Sequence, residues 1–326
     1  MKRDWPAESL NYRDTVAAAL RRRGGFDLAR QAESEPDIRH STVRPLLDGL
    51  GLPALDPWGG DEESAAVALA VCEAGRVVLP WPVVEQLAVP QAAREQIAAI
   101  HVTDGVRNRL SHADLFDSVV MCPGGEESWA TTIGRLNPAP LDPFAVEVSV
   151  AQPRHLDRLP DAVAMHTVLT AFWVHGALST ALQQATLHAR DRHQFGSPIG
   201  RFGEIRWRLA DMVVALDGLA ELARHTWWVV RKGRSSTVDL LALRVHMLEA
   251  SEGILSHAHQ VLGAMGLCEE HNLTVVDRHL QPVLRRPGGL LRTTAKLADA
   301  VATEGFDAPF PVLPWRSAES APAAAV

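Results

Sequence analysis

The stretch RDRHQFGSPIGRF at residues 190–202 gathers the side chains of this sequence best suited to holding an anion. Between residues 190 and 208 the chain carries Arg190, Arg192, Arg201, Arg206 and Arg208 against only Asp191 and Glu204, although the whole protein has a formal charge of −7. The planar fork of arginine matches phosphate oxygens in paired hydrogen bonds. Phe195, Ile199 and Phe202 stand close enough to supply an apolar wall for a ring attached to that phosphate. The same residues also satisfy ordinary helix grammar. Arg190, Arg192 and His193 oppose the dipole of a helix end, Gly196 leaves the helix, and Ser197-Pro198 opens the next segment.

Other chemistries find less support. No GxGxxG opens a helix after a strand, and GxxxxGK followed by Ser or Thr, GxSxG and HExxH are absent. His257 and His259 are two apart, and His188 and His193 five apart, so neither pair shares a helix face and no metal site is expected. Cys72, Cys122 and Cys268 show neither CxxC spacing nor a disulfide framework. Hydrophobic residues at 47% and charged residues at 22% describe a globular chain. The acidic balance argues against nucleic acid or an anionic membrane as a partner. With no apolar leader near Met1 and no run of ~20 uninterrupted apolar residues, a cytoplasmic location is expected.

The elements that would position the arginine segment can be read from periodicity. Residues 1–94 read as short helices punctuated by Gly and Pro, and 95–157 carry the β-branched runs and turn signals of a reduced β domain. Residues 158–310 read as a C-terminal domain resembling a four-helix bundle, helical to about Glu304, and 311–326 as a flexible tail. In the bundle, Val168, Ala171, Leu178, Leu182, Ala185 and Ala189 form one stripe before the arginine segment. After it, Ile205, Leu209, Met212, Leu216, Leu219, Ala223 and Trp227 alternate in steps of three and four. Leu241, Leu248, Leu255 and Leu262 recur every seventh position on a third helix, so antiparallel bundle packing is predicted.

The segment ARDRHQFGSPIGRFGEIRWRLADM resembles the part of acyl-CoA dehydrogenases that reads R-x-x-F-G-x-P-I-x-x-F-Q followed by L-A-D-M. HQVLGAMGLCEEHNL resembles their Q-x-x-G-G-x-G-x-x-x-E, in the same order and at similar spacing. The resemblance implies that family's α+β multidomain fold: a helical N-terminal domain, here shortened, a small middle β domain and a C-terminal helical bundle. It also implies its reaction. A glutamate removes the α proton of an acyl-CoA thioester while a hydride leaves the β carbon for N5 of FAD, giving the 2,3-enoyl-CoA. Each FAD is shared between subunits. Carried over position by position, Arg192 would pair the pyrophosphate of a neighbour's FAD and Gln194 would hydrogen-bond it. Phe195, Ile199 and Phe202 would line the adenine side, and Gln260 with the backbone at Gly263 and Ala264 would complete the loop.

The departures from the family are as informative. The usual motif of an aromatic residue, two spacers, Ser or Thr, and Glu is missing, as is the Gly-Ser-Asp loop, so the chain's own flavin pocket looks dismantled. In the stretch resembling the later β-domain motif, Arg109 replaces an aromatic while Ser111 keeps a hydroxyl, and Gly203 replaces a glutamine after Phe202. The family's glutamate base falls on Pro287, and the alternative base position falls near His166, so no catalytic residue is expected in this chain. A chain that keeps the half-site it donates but loses its own resembles the small, base-lacking subunit of heteromeric acyl-CoA dehydrogenases of actinobacterial steroid degradation. The resemblance then implies a heterotetramer with full-length subunits that carry the glutamate, FAD shared with that partner, an acyl-CoA substrate and an electron-transfer flavoprotein as acceptor. The bundle helices and the nine tryptophans of the chain would supply the oligomer surface, with plain core packing as the other reading of the same residues. Two alternatives stay open: a structural or regulatory homologue that touches no cofactor, and a self-sufficient enzyme with an unusual base such as His166.

Overall fold

A computed structural model describes residues 4–305, so the tail expected at 311–326 lies outside the described residues. Five helices open the chain: α1 (Ala7–Arg22), α2 (Phe26–Ser34), α3 (Arg44–Gly49), α4 (Asp61–Arg76) and α5 (Val83–Leu87). Five strands follow: β1 (Ala99–Thr103), β2 (Arg109–Ser111), β3 (Val119–Pro123), β4 (Trp129–Leu136) and β5 (Ala145–Pro153). They form one sheet in the order β1-β3-β4-β5-β2, with β1 and β3 parallel and the other pairs antiparallel. The rest is α6 (Leu159–Asp191), a short hairpin of β6 (His193–Gln194) and β7 (Ser197–Pro198), then α7 (Gly203–Arg231), α8 (Thr237–Leu262), α9 (Asn272–Arg285) and α10 (Leu290–Glu304).

Local chemistry sets several of these boundaries. Asp61, Glu62 and Glu63 sit in the first turn of α4, where carboxylates meet the positive end of the helix dipole. Pro160 stands in the first turn of α6, where its missing N–H costs nothing. Ser236 and Asp239 cap α8 reciprocally, each side chain accepting the other's backbone N–H.

The 33-residue α6 runs ~50 Å through the middle of the molecule and is buried on several sides. It is long and apolar enough to cross a membrane, but 78% of its most apolar window is buried inside the protein, as befits a core helix. Its closest neighbour is α4. At their crossing a Cβ on Gly176 would land on the Cys72 carbonyl oxygen, and one on Gly75 on the Trp173 carbonyl oxygen. Two facing glycines therefore let the backbones touch, which no larger residue could. One continuous core links Val16 and Leu20 of α1, Leu178 of α6, Leu219 of α7 and Leu280 of α9, so the helices at the two ends of the chain do not pack independently. The sheet carries a smaller apolar cluster on each face, Ile100 and Val102 in one with Ala99, Met121 and Val146 in the other. That division follows the alternation of strand side chains.

Candidate functional site

The arginine segment is a hairpin between α6 and α7. Arg192 leaves α6 with an extended backbone, its N–H still bonded to the His188 carbonyl oxygen and its own carbonyl accepting the Ile199 N–H at 2.8 Å. The tip is a two-residue turn, Phe195 at φ 51° and Gly196 at φ 78°. Positive φ at both central positions suits the twist of a tight hairpin, but a bulky aromatic rarely adopts it. Phe195 is also 92% exposed, with only the Phe202 ring near it at 6.1 Å between centroids. A strained, bared aromatic at a hairpin tip is a structural signature of a surface that something else covers.

The five arginines sort by what they touch. Arg190 is paired with Asp191 at 2.7 Å, and Arg208 with Glu204 at 2.7 Å and the His257 ring at 3.0 Å. Arg192, Arg201 and Arg206 are exposed and have no hydrogen-bond or ion-pair partner among the described residues. Gln194 is likewise exposed.

Antiparallel packing brings the second predicted segment to the same end of the bundle. There α8 stops at Gly263, whose φ of 57° and ψ of −138° only glycine holds without strain. Gln260, Gly263 and Ala264 are exposed, and Met265 and Leu267 are 47% and 74% exposed. His188 at the end of α6 lies close enough to depress the titration of His271, after burial of that ring as the larger cause. The structure thus gathers Arg192, Gln194, Phe195, Phe202, Gln260, Gly263 and Ala264 at one open end. Ile199 departs from the expectation. It is 8% exposed and packs into the core beside Ala189 and Met212, because the turn after Pro198 directs it inward to anchor the hairpin.

The donor set fits an FAD pyrophosphate and adenosine: an unpaired guanidinium, a side-chain amide, exposed aromatic faces and a glycine backbone that a phosphate can approach. It fits only half of the molecule. At the other end of α6, the residues that resemble the family's flavin motif surround a small cavity.

Arg286 and Asp142, which stand in no motif, join Ser111 and Arg109 there. Arg286, beside Pro287, reaches across to donate to Ser111 Oγ at 2.5 Å and Asp142 Oδ2 at 3.1 Å. Ser111 in turn hydrogen-bonds Asp142 at 2.6 Å, so the hydroxyl at the family's threonine position is consumed internally. Arg109 likewise donates to the Asn137 carbonyl oxygen. What remains is a cavity of about 80 Å³ lined by Trp81, Val83, His101, His166, Trp173 and Arg286 among others. Sites for cofactors usually offer roughly 300–1,000 Å³. No carboxylate replaces Pro287, and His166 is pushed down to about 3, by burial first and then by the Arg244 and Arg286 charges. An imidazole held neutral so firmly is a weak proton acceptor. The only sequence hint of this cluster is the Arg285-Arg286-Pro287 run where the family carries its Glu-Gly.

The oligomer surface also needs correction. Trp5, Trp58, Trp81, Trp129, Trp173, Trp227 and Trp228 are buried or half-buried, and among the described residues Trp207 alone is bared, at 71%. With Ala210 and Val214 it forms a second stripe on α7, offset from the core-facing one, which could have been read from the sequence.

Comparison with known proteins agrees with this geometry. Residues 162–285 match the family described as the acyl-CoA dehydrogenase C-terminal domain. The chain is 26% identical over 288 residues to the acyl-CoA dehydrogenase IpdE2 of Mycobacterium tuberculosis, covering 82% of this chain and 89% of that one. Residues 162–285 thus match a domain of the acyl-CoA dehydrogenase family. Among solved structures, a chain of the Tcur3481-Tcur3483 steroid ACAD superposes with a TM-score of 0.79 at 16% identity, over 90% of this chain and 98% of that one. A chain of the ChsE4-ChsE5 complex of Mycobacterium tuberculosis gives 0.78 at 14% identity, over 93% and 99%. At such identities the likeness establishes the fold, a mostly helical chain with a small sheet and a C-terminal bundle. The family's members are FAD-dependent oxidoreductases acting on CH–CH bonds.

Proposed function

We propose that this chain is the base-lacking subunit of a heteromeric FAD-dependent acyl-CoA dehydrogenase, completing the adenosine-pyrophosphate site of an unlike partner that carries the catalytic glutamate. The observation that carries the reading is the contrast between the two ends of α6. One end presents Arg192, Gln194 and Phe195 unpaired and exposed, and the other offers only a cavity of about 80 Å³ beside Ser111. From His166 to Arg192 is ~39 Å along the helix, more than one dinucleotide spans, so the two ends of a single chain cannot serve one cofactor.

Bound FAD would supply the hydride acceptor for dehydrogenation. In this chain Arg192 would neutralise the pyrophosphate, Gln194 and Gln260 would orient it, and the Gly263-Ala264 backbone would admit it closely. Phe195 and Phe202 would exclude water from the adenosine. The acyl-CoA, its α-proton acceptor and the docking of an electron-transfer flavoprotein would belong to the assembled enzyme. The steroid ACAD among the fold neighbours supports a bulky acyl group as substrate.

A purely structural homologue would have no use for an unpaired Arg192 beside a glycine-terminated loop. A self-sufficient enzyme would need a base other than His166, and Glu85, the carboxyl that lines the same cavity, is held up by burial. The test is co-expression with an acyl-CoA dehydrogenase subunit that carries the glutamate, followed by flavin absorbance and native mass. The chain alone should be colourless, and the mixed assembly should hold one FAD per unlike pair. A homo-oligomer with stoichiometric FAD that dehydrogenates an acyl-CoA overturns the reading.

A further inference from the structure

The small cavity at the far end of α6 has features that plain filling does not explain. His101 on β1 and His166 on α6 are 5% and 8% exposed, and both line it. The Nε2 atom of each is buried without a hydrogen-bond partner. Such orphaned atoms are costly and rare in a finished core. Thr170 donates its hydroxyl to the His166 carbonyl oxygen at 2.7 Å, so its oxygen is left to accept from His166 Nδ1 at 3.5 Å. That arrangement puts the lone pair of the neutral ring on Nε2, which faces the cavity and needs a donor. Arg286 uses Nε on the Pro282 carbonyl oxygen and Nη2 on Ser111 and Asp142, leaving Nη1 without a protein partner. The cavity therefore offers an acceptor, a cationic donor and a second imidazole within a space of about 80 Å³, where one water occupies ≈ 30 Å³.

We propose that this cavity binds a small carboxylic acid, no larger than acetate or propionate, held by Arg286 Nη1 and the Nε2 atoms of His101 and His166 and taken up with one proton. The carboxyl O–H donates to the lone pair of His166 Nε2, which stays neutral. The second oxygen accepts from Arg286. No covalent bond forms or breaks. The proton is required by the charges already there. Arg286 is matched by Asp142, while Glu85 on α5 lines the cavity as a carboxyl raised by burial. His112 and His279 complete the titratable lining, and the Arg244 guanidinium lies behind His166. An unprotonated carboxylate would add an unmatched negative charge to this buried space, whereas acid uptake leaves the balance unchanged. Trp173, Val83 and Val102 wall the site and limit the ligand to a short chain. The proposal concerns this chain's own pocket and stands apart from whether a partner's cofactor reaches the opposite hairpin.

Calorimetric titration of the full chain with sodium acetate, in buffers of different ionisation enthalpy, tests it directly. The expected result is saturable binding with uptake of about one proton, weakening about tenfold per unit rise in pH above the acid's own titration. Acetamide, the same size but unable to bring the proton, should not compete. His166→Gln and Arg286→Gln should each weaken acetate at least tenfold. Absence of saturable binding, binding without proton uptake, or equal competition by acetamide overturns the proposal and leaves a water-filled cavity. Should either variant fail to fold, the wild-type pH series and the acetamide comparison decide alone.

Discussion

Arg192 is the residue on which the shared-cofactor reading turns. Its guanidinium has no hydrogen-bond or ion-pair partner among the described residues, so removing it should leave the fold intact and weaken only what lies outside. A charge-assisted contact of this kind contributes about 1.5–3 kcal/mol, so Arg192→Ala in the assembled enzyme should raise the FAD dissociation constant roughly 10–100-fold. Arg192→Lys should recover only part of that, because an ammonium cannot form the paired bonds. Flavin release on gel filtration reads both. The buried histidines make a second prediction. His101 and His166 are pushed down to about 3 and His175 to about 4, chiefly by desolvation, against an ordinary value of 6.5. The unfolded chain therefore binds more protons than the folded one between these limits. The contribution of these rings is complete above about pH 6.5 and is lost as pH falls toward 3, at up to about 1.4 kcal/mol per pH unit for each ring. Urea midpoints measured from pH 7.5 to 4.5, without acetate, should fall steadily; a flat profile would contradict the buried neutral state.

Among the elements, the crossing of α4 and α6 is the least forgiving. The added Cβ in Gly176→Ala would overlap the Cys72 carbonyl oxygen, a backbone atom that cannot rotate away. Separating two core helices should cost at least about 3 kcal/mol, at the upper end for overpacking. Gly253→Ala, in open space on the half-exposed side of α8, should instead be neutral or mildly stabilising, since alanine is the better helix former. Chemical denaturation of the two variants separates packing from propensity. The hairpin depends on the same rigidity: Ile199 buried against α6 and α7 holds the tip where Phe195 projects.

For the whole molecule, several of the exposed apolar residues gather near the α6–α7 hairpin. Trp207 and Val214 on α7 are 71% and 72% exposed, and Phe195, Met265 and Leu267 continue the apolar surface around the open half-site. Replacing Trp207 and Val214 together by glutamate should leave the isolated chain within about 0.5 kcal/mol of its stability, as surface changes usually do. It should abolish co-purification with the glutamate-bearing partner and with it the flavin colour. Native mass spectrometry reads the assembly; an intact complex in the double variant would move the interface elsewhere.

Periodicity alone determined the long bundle helices, because a buried stripe repeats every three or four residues whatever it packs against. The paired motifs around Arg192 and Gly263 were legible for a similar reason: phosphate chemistry restricts the residue types, so the pattern survives in one dimension. What only the tertiary structure decided is which side chains are free. Arg192 and Arg208 are indistinguishable as letters, yet one is bare and the other is held by Glu204 and His257. Ile199 and Phe195 belong to the same motif, yet one anchors and the other projects. The cluster of Arg286, Ser111 and Asp142 lies deepest beyond the sequence. Arg286, Ser111 and Asp142 come from three separate segments, and their meeting follows from long-range packing that no local spacing encodes.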